Sequence, residues 1–163
     1  MKMKKLVIVR HGDYDFRGHL TDRGIRMVEG LVNNLHPYLE GPEGLEMPIV
    51  VLSSPASFAW QSAAIIATRF DVLASQHPEL YSEHDSRPRF SDILTLLRIS
   101  AERASTVIIV THLEIAENFP QHFANRELDR IELKGWDIER GEAWLIDCET
   151  KTMIKVSHGE PEE

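Results

Sequence analysis

Cysteine is almost absent from this sequence, since Cys148 is the single one among 163 residues. One thiol cannot form an internal disulfide, and it cannot build a structural zinc site. The chain therefore has to fold without either kind of cross-link. This composition fits the reducing environment of the cytoplasm, where we expect the protein to reside.

Long apolar runs are also missing. The basic start, residues 1–5, is followed by the short apolar run Leu6 to Val9 and then at once by Arg10. This run is far shorter than a signal-peptide core, and no run approaches the roughly 18 apolar residues that a membrane span requires. We therefore expect a soluble, unexported protein that does not bind a membrane.

The chain has no excess of positive charge. It contains 26 acidic and 18 basic residues, which gives a formal net charge of −8. This charge opposes nonspecific attraction to nucleic acid and to anionic membranes, so we expect neither as a partner. A site for an anion must instead be local, built from a few arginines, histidines and helix N-termini.

Metal-binding patterns are lacking as well. The 8 histidines show no metal-ligand spacing such as His-Glu-x-x-His. We therefore predict that the protein binds no metal.

What the sequence does contain is an ordinary globular composition, with 42% hydrophobic and 27% charged residues. Its length favours one compact domain, which we place at residues 1–156. The remaining residues, 157–163, are polar and acidic, and we expect them to form a disordered tail.

Strand and helix patterns alternate along this domain. Short apolar runs rich in β-branched residues, typical of strands covered on both faces, lie at Leu6 to Val9, Ile49 to Leu52 and Val107 to Val110. Helical patterns with one apolar face start after a Thr21 N-cap, at Ala59 and at Phe90. Two later strands, Glu142 to Asp147 and Met153 to Val156, predict a hairpin at one edge of the sheet. The pattern predicts an α/β three-layer sandwich with a mostly parallel central sheet and helices on both faces.

A histidine follows each of two predicted central strands. Arg10-His11-Gly12 comes directly after the first strand, and Thr111-His112 ends the third. Because the carboxyl ends of parallel strands meet at one edge of a sheet, where such folds hold their ligands, we expect these histidines to converge there.

A further signal follows the second strand, at Ser53-Ser54-Pro55. Ser54 suits an N-cap and Pro55 suits the first helical position, so a helix N-terminus is predicted at the same edge. Such an N-terminus attracts phosphate.

Four ordered segments of the chain resemble the histidine phosphatase superfamily, also called the phosphoglycerate mutase-like family. They are VRHGDYD at Val9 to Asp15, LTDRG at Leu20 to Gly24, SSPASFAWQSA at Ser53 to Ala63 and VTHLEIAENFP at Val110 to Pro120. Little sequence lies between the segments, so the chain is most similar to the small bacterial phosphohistidine phosphatase branch.

This resemblance implies a phosphoenzyme mechanism in which His11 attacks phosphorus while Arg10 and His112 hold the transferring group. Imidazole is nucleophilic only when neutral, so one ring nitrogen of His11 should donate its proton to a backbone carbonyl or a carboxylate. The planar fork of Arg10 matches phosphate oxygens. Gly12 would let the backbone approach the phosphate, and the hydroxyl of Thr111 could donate to it.

One position departs from the family's pattern. The family carries a second phosphate-binding arginine in the helix after the SSP segment, and the matching residue here is Phe58. A phenyl ring cannot donate to phosphate, and losing a charged hydrogen bond costs about 1.5–3 kcal/mol unless another group replaces it. Arg17, in the loop between His11 and Thr21, is the first candidate for that replacement, ahead of Arg23, Arg87 and Arg89.

The leaving group also needs a proton donor. Family members that act on phosphate esters use a carboxylate from the region that here contains Glu83, His84 and Asp85. We predict Glu83 as this donor. A phosphohistidine or acyl phosphate would relax the requirement, because its leaving group departs with less help than an alkoxide.

The sequence therefore predicts a cofactor-independent phosphatase that forms a phosphohistidine on His11 and transfers the group to water. Its partner would be a phosphorylated small molecule or a phosphoprotein, with a phosphohistidine, phosphoester or acyl phosphate group. The alternative is a catalytically impaired family member that binds a phosphorylated ligand or a partner protein, with Phe58 marking the lost activity.

Overall fold

The computed structural model describes residues 3–82 and 87–161. The strands, in chain order, are β1 (Lys5–Arg10), β2 (Glu40–Gly41), β3 (Gly44–Leu45), β4 (Ile49–Ser53), β5 (Ala74–Gln76), β6 (Thr106–Thr111), β7 (Ala143–Asp147) and β8 (Thr152–Val156). The α-helices are α1 (Asp22–Leu35), α2 (Ser57–Arg69), α3 (Phe90–Ala101) and α4 (Leu113–Glu127). Short 3₁₀ helices cover His36–Leu39 and Pro78–Leu80.

The central sheet has the strand order β5-β4-β6-β1-β7-β8. Neighbouring strands from β5 to β1 are parallel, whereas β7 is antiparallel to both β1 and β8. The sheet is therefore mostly parallel, with a β7–β8 hairpin at one edge as the two late apolar patterns predict.

Helices cover both faces of the sheet, and β1 shows how its sequence produces this. Leu6 and Ile8 pack into one hydrophobic cluster with residues of α3 and α4, whereas Val7 and Val9 pack into a second cluster with α1 and α2. Alternate side chains of a strand point to opposite faces, so a continuous apolar run requires cover on both. The predicted three-layer α/β sandwich is confirmed.

None of the helices in the described ranges is long and apolar enough to span a bilayer.

The start of α1 is fixed by its cap and by contact with the loop after β1. Thr21 is the N-cap, and its Oγ1 accepts a hydrogen bond from the N–H of Gly24 at 3.0 Å. The N–H of Thr21 donates to the carbonyl oxygen of Asp13 at 3.0 Å. A Cβ on Gly24 would lie 2.1 Å from that same oxygen, so only glycine permits this approach. The helix start is thereby held against the residues that follow β1.

Short elements at the periphery differ from the sequence prediction. The glycine- and proline-containing segment Glu40 to Gly44, whose composition predicts a loop, forms most of the small β2–β3 hairpin. Strand β5 is not predicted at all, because this edge strand is short, mostly exposed and free of a β-branched run. Pairing with β4, rather than local pattern, makes it a strand.

The C-terminal tail is a further difference. Composition predicts disorder over 157–163, whereas residues 157–161 lie against α1 in the structure. Asn34 Nδ2 donates to the carbonyl oxygen of Ser157 at 2.8 Å, and His158 is buried. The carboxylate of Glu160 lies 3.6 Å from Arg26 Nε. Side chains of α1 thus hold the tail, which a polar composition does not reveal.

Candidate active site

The site lies where β1 and β6 end side by side. These strands are parallel, and Arg10 pairs with Thr111 in their register. The next residue after each is a histidine, so His11 and His112 follow at the same edge of the sheet. Their ring centroids are 5.4 Å apart, and the two side chains are buried. The structure therefore brings the two predicted histidines together.

A cavity of about 300 Å³ opens beside the two rings. It is lined by Arg10, His11, Tyr14, Ser82, His112, Leu113, Glu114 and Arg140. Arg10 and Arg140 place two guanidinium groups at this cavity, although the chain as a whole is negative.

The imidazole of His11 is held in one tautomer. Its Nδ1 lies 2.9 Å from the carbonyl oxygen of Gly12, and a carbonyl oxygen can only accept, so Nδ1 carries the proton. Burial lowers the pKa of His11 to about 3, and the charges of His112 and the neighbouring arginines act in the same direction. The ring is therefore neutral at physiological pH, with the lone pair on Nε2.

Arg10 is oriented by the loop that precedes β7. Its Nη1 donates to the carbonyl oxygen of Ile138 at 3.1 Å, and its backbone N–H donates to the carbonyl oxygen of Glu142 at 3.0 Å. Since Arg10 also lines the cavity, these contacts hold it beside His11.

His112 is oriented by a serine that directly follows the neighbouring strand β4. Ser54 Oγ lies 2.8 Å from His112 Nε2, and it also accepts from the N–H of Ala56 at 3.2 Å. Helix α2 begins at Ser57 with Ala56 as its N-cap, so the predicted N-cap at Ser54, with Pro55 at the first helical position, is wrong. Ser54 contacts the histidine instead, because β4 ends next to β6.

Phe58, the residue that departs from the family's pattern, contacts both histidines. Its ring centroid is 4.5 Å from that of His11 and 5.6 Å from that of His112, with edge-to-face geometry in each case. The ring is also stacked on Tyr14, with centroids 3.9 Å apart and planes 8° from parallel. An aromatic wall, and not a hydrogen-bond donor, thus borders the site on this side.

Solved structures share this fold. The protein histidine phosphatase SixA complexed with tungstate superposes with a TM-score of 0.70 at 17% identity, covering 94% of this chain and 97% of that one. This chain has the phosphoglycerate mutase-like fold. An alpha-ribazole phosphatase from Shigella flexneri shares the fold with a TM-score of 0.58 at 16% identity, covering 98% and 99% of the two chains. A phosphoglycerate mutase from Plasmodium falciparum shares it with a TM-score of 0.59 at 20% identity, covering 98% and 96%.

The fold that the sequence resemblance implies, that of the phosphoglycerate mutase-like proteins, is thus confirmed. No protein-family model matches the sequence, and no curated protein matches it significantly. The likeness therefore shows the fold, while the chemistry has to be argued from the residues of the site.

Arg17, predicted to replace the arginine that the family has at the position of Phe58, lies outside the cavity beside His11. Its side chain is exposed, and its guanidinium carbon is 5.4 Å from the centroid of the Phe16 ring. It lines a neighbouring groove rather than the cavity beside His11. Arg140 lines the cavity together with Arg10. It lies outside the four family-like segments, and it was not predicted from the sequence.

The other arginine candidates are engaged outside the cavity. Arg23 binds Asp13, with Nη1 2.8 Å from Oδ2, and also the carbonyl oxygen of Pro161. Arg87 and Arg89 line a separate surface groove.

Gly12 and Thr111, which are predicted from the sequence to lie against phosphate, make hydrogen bonds within the protein. The N–H of Gly12 donates to Ser62 Oγ at 3.2 Å, and a Cβ at this position would lie 2.7 Å from the carbonyl oxygen of Gly24. The hydroxyl of Thr111 donates to the carbonyl oxygen of Leu80 at 2.6 Å. The glycine thus permits α1 to pack closely, and the threonine anchors the segment beside β6.

The predicted proton donor, Glu83, lies outside the described residues. Among the described carboxylates, Glu114 lines the cavity from the first turn of α4 and is exposed. Ser82 also lines the cavity and is 8% exposed, and its Oγ has no hydrogen-bond partner within residues 3–82 and 87–161. Within the same ranges no group of three or more His, Cys, Asp or Glu side chains could hold a metal ion.

Proposed function

We propose that this protein is a phosphatase that transfers a phosphoryl group from its substrate to His11 and then to water. One observation carries the proposal: a buried, neutral imidazole with its lone pair on Nε2 shares a cavity with Arg10 and His112. Neighbours in fold that are named as phosphatases support the same reaction.

In the first step, Nε2 of His11 forms a bond to phosphorus while the bond from phosphorus to the leaving group breaks. The leaving group departs with the bonding electron pair and takes up a proton. The phosphorylated ring keeps its Nδ1 proton and carries a positive charge, which the carbonyl oxygen of Gly12 stabilises. Phosphoryl transfer needs mainly positioning and electrostatic stabilisation, which such a site can supply.

Arg10 and His112 stabilise the oxygens of the transferring group. Arg10 is held by a backbone carbonyl, and His112 is held by Ser54, so neither has to reorganise when charge develops. Preorganised donors of this kind are commonly the largest single contribution to catalysis.

In the second step, water attacks phosphorus and the bond to Nε2 breaks, with the electron pair returning to His11. Water gives up a proton, inorganic phosphate leaves, and the neutral imidazole is regenerated. The group that protonates the leaving group in the first step is the natural acceptor of this proton.

Two carboxylates are candidates for that group: Glu83, predicted from sequence, and Glu114, which lines the cavity. Glu83→Gln and Glu114→Gln should be assayed on phenyl phosphate and on p-nitrophenyl phosphate. Loss of the true donor should slow hydrolysis of phenyl phosphate more than hydrolysis of p-nitrophenyl phosphate, because p-nitrophenolate leaves readily without a proton. A variant that slows the two substrates equally does not lack the donor.

The substrate class is a phosphorylated small molecule or a phosphoprotein, with a phosphohistidine, phosphoester or acyl phosphate group. A solved neighbour is named as a protein histidine phosphatase, which supports the phosphohistidine member of this set. We place the enzyme in the cytoplasm, since its lone cysteine fits a reducing compartment.

The second candidate is a phosphate-binding protein without turnover, which the contact of Phe58 with both histidines favours. Hydrolysis of p-nitrophenyl phosphate and of phosphohistidine by the full chain separates the two functions. The proposal predicts that the wild type turns over at least one of these substrates and that His11→Asn abolishes this activity. Arg17→Ala should keep its activity within about twofold of the wild type. Phosphate binding with no hydrolysis of either substrate would establish the binding protein instead.

A further inference from the structure

The loop before β7 is bound directly to the end of β1. The N–H of Gly141 donates to the carbonyl oxygens of Arg10 and His11, at 2.9 and 3.0 Å, and Arg10 in turn donates from its own N–H to Glu142. Gly141 has φ +73, a conformation that other residues rarely adopt, and a Cβ there would meet Met27. These backbone hydrogen bonds therefore fix the main chain of Arg140 next to His11, the proposed nucleophile.

The side chain of Arg140 is directed by two residues that follow β1. Its guanidinium carbon lies 4.7 Å from the centroid of the Tyr14 ring, and its Nη1 lies 3.4 Å from Asp13 Oδ1. The same side chain lines the cavity beside His11 and is 39% exposed. A guanidinium that lies over an aromatic face still has N–H donors available to an anion.

Tyr14 is itself supported by Phe58. The phenyl ring stacks on one face of Tyr14 at 3.9 Å, so the guanidinium at 4.7 Å must occupy the opposite face. The three groups form a stack in the order Phe58, Tyr14, Arg140, which we call the aromatic–arginine stack. Phe58 thus supports the position of the Arg140 guanidinium through Tyr14.

We propose that Arg140 is a phosphoryl-binding residue, donating to the oxygens of the transferring group, and that Phe58 and Tyr14 are positioning residues for its guanidinium. The assignment deepens the proposed function and rests on it. It also explains how a site with phenylalanine at position 58 can keep a second arginine.

The contact between Arg140 and Asp13 does not prevent this role. At 3.4 Å it is a long and partly exposed ion pair, which contributes little to stability. Asp13 is held more closely by Arg23, at 2.8 Å, so its carboxylate stays paired when Arg140 turns to an anion. The guanidinium can therefore exchange a weak partner for a dianionic phosphoryl group.

Binding of inorganic phosphate to the full chain tests the assignment. The variants are Arg140→Ala, Arg140→Lys and, as the matched control with the same change of charge, Arg17→Ala. We expect Arg140→Ala to weaken phosphate binding by about 10- to 100-fold and Arg140→Lys to restore only part of it, because lysine lacks the bidentate fork. Arg17→Ala should stay within about twofold of the wild type. Equal affinity in Arg140→Ala and the wild type would overturn the assignment, and so would equal weakening by Arg17→Ala.

The positioning role of Phe58 is tested by a double-mutant cycle. Phe58→Leu retains apolar volume but removes the stack, so it should weaken phosphate binding several-fold in the wild type and not further in Arg140→Ala. Additive effects of the two substitutions would overturn the positioning role. Thermal unfolding of each variant establishes that the protein measured is folded.

The same variants separate failure of this assignment from failure of the proposed function. If the wild type hydrolyses no phosphate ester or phosphohistidine, yet Arg140→Ala weakens phosphate binding, the proposed function fails and Arg140 remains an anion-binding residue. If His11-dependent hydrolysis occurs but Arg140→Ala leaves both kcat/KM and phosphate affinity unchanged, the assignment fails and the function stands.

Discussion

Ser54 Oγ lies 2.8 Å from Nε2 of His112, and the two side chains are buried. They meet because β4 and β6 are adjacent parallel strands, so the residues that follow their carboxyl ends lie side by side. The N–H of Ala56 donates to the same Oγ, which fixes the position of the serine. The ring of His112 is thereby oriented before any ligand binds.

Ser54→Ala is therefore expected to lower kcat/KM on p-nitrophenyl phosphate by about 2- to 10-fold, the effect of one hydrogen bond of about 0.5–1.5 kcal/mol. The matched control is Ser53→Ala, since Ser53 is equally buried but its hydroxyl donates to the Ser54 carbonyl and not to a histidine. Steady-state kinetics with thermal unfolding distinguish the two variants. If Ser53→Ala reduces kcat/KM as much as Ser54→Ala, the orienting role is refuted.

The pH dependence of folding stability reports on the environment of His11. Burial lowers its pKa from 6.5 to about 3 in the folded protein. Between these values the unfolded chain binds a proton that the folded chain does not, so stability is greatest above pH 6.5 and falls as pH decreases toward 3.

His11→Asn removes this contribution, while its amide can still donate to the Gly12 carbonyl. Urea unfolding at pH 7 and pH 5 should therefore show the wild type losing about 2 kcal/mol more stability than the variant, at about 1.4 kcal/mol per pH unit below the ordinary pKa. The two proteins differ only at residue 11, so the difference between their losses is assigned to His11. Parallel losses in the two proteins would contradict the burial of a neutral His11.

Gly12 couples the packing of α1 to the position of the nucleophile. A Cβ at Gly12 would lie 2.7 Å from the carbonyl oxygen of Gly24, where backbone has to shift, whereas a Cβ at Gly41 would meet the flexible Glu46 side chain at 2.9 Å. Gly12→Ala should cost about 1–3 kcal/mol of stability and lower kcat, because the carbonyl that holds His11 moves. Gly41→Ala is the control. Chemical denaturation and kinetics that find the two variants alike would contradict this reading of Gly12.

Much of this fold follows from local sequence pattern. The β-branched runs in β1, β4 and β6 mark the central strands, and the cap at Thr21 marks the start of α1. Because these strands are parallel, the position of a histidine directly after a strand was sufficient to predict that His11 and His112 converge. The parallel direction of the strands, and not the chemistry of the side chains, makes this part of the site predictable.

The position of Arg140 at the cavity could not be predicted in the same way. Arg17 is near His11 in sequence, but its loop directs it to the exposed Phe16. Arg140 is distant in sequence and reaches the cavity because β7 pairs antiparallel with β1, which brings the loop before β7 to the carboxyl end of β1. The one local signal is Gly141, whose positive φ sets the turn at that point. Ser54 was misassigned for a related reason, since its partner His112 follows a different strand, β6.

The most direct test of the account is to trap a phosphoryl group on His11. The full chain is mixed briefly with a phosphohistidine or acyl phosphate substrate, quenched in alkali, digested and analysed by mass spectrometry. The account predicts one phosphoryl group on the peptide that contains His11, lost on mild acid treatment and absent from His11→Asn. Substrate hydrolysis without any acid-labile phosphoryl group on that peptide, or labelling that persists in His11→Asn, would contradict the account.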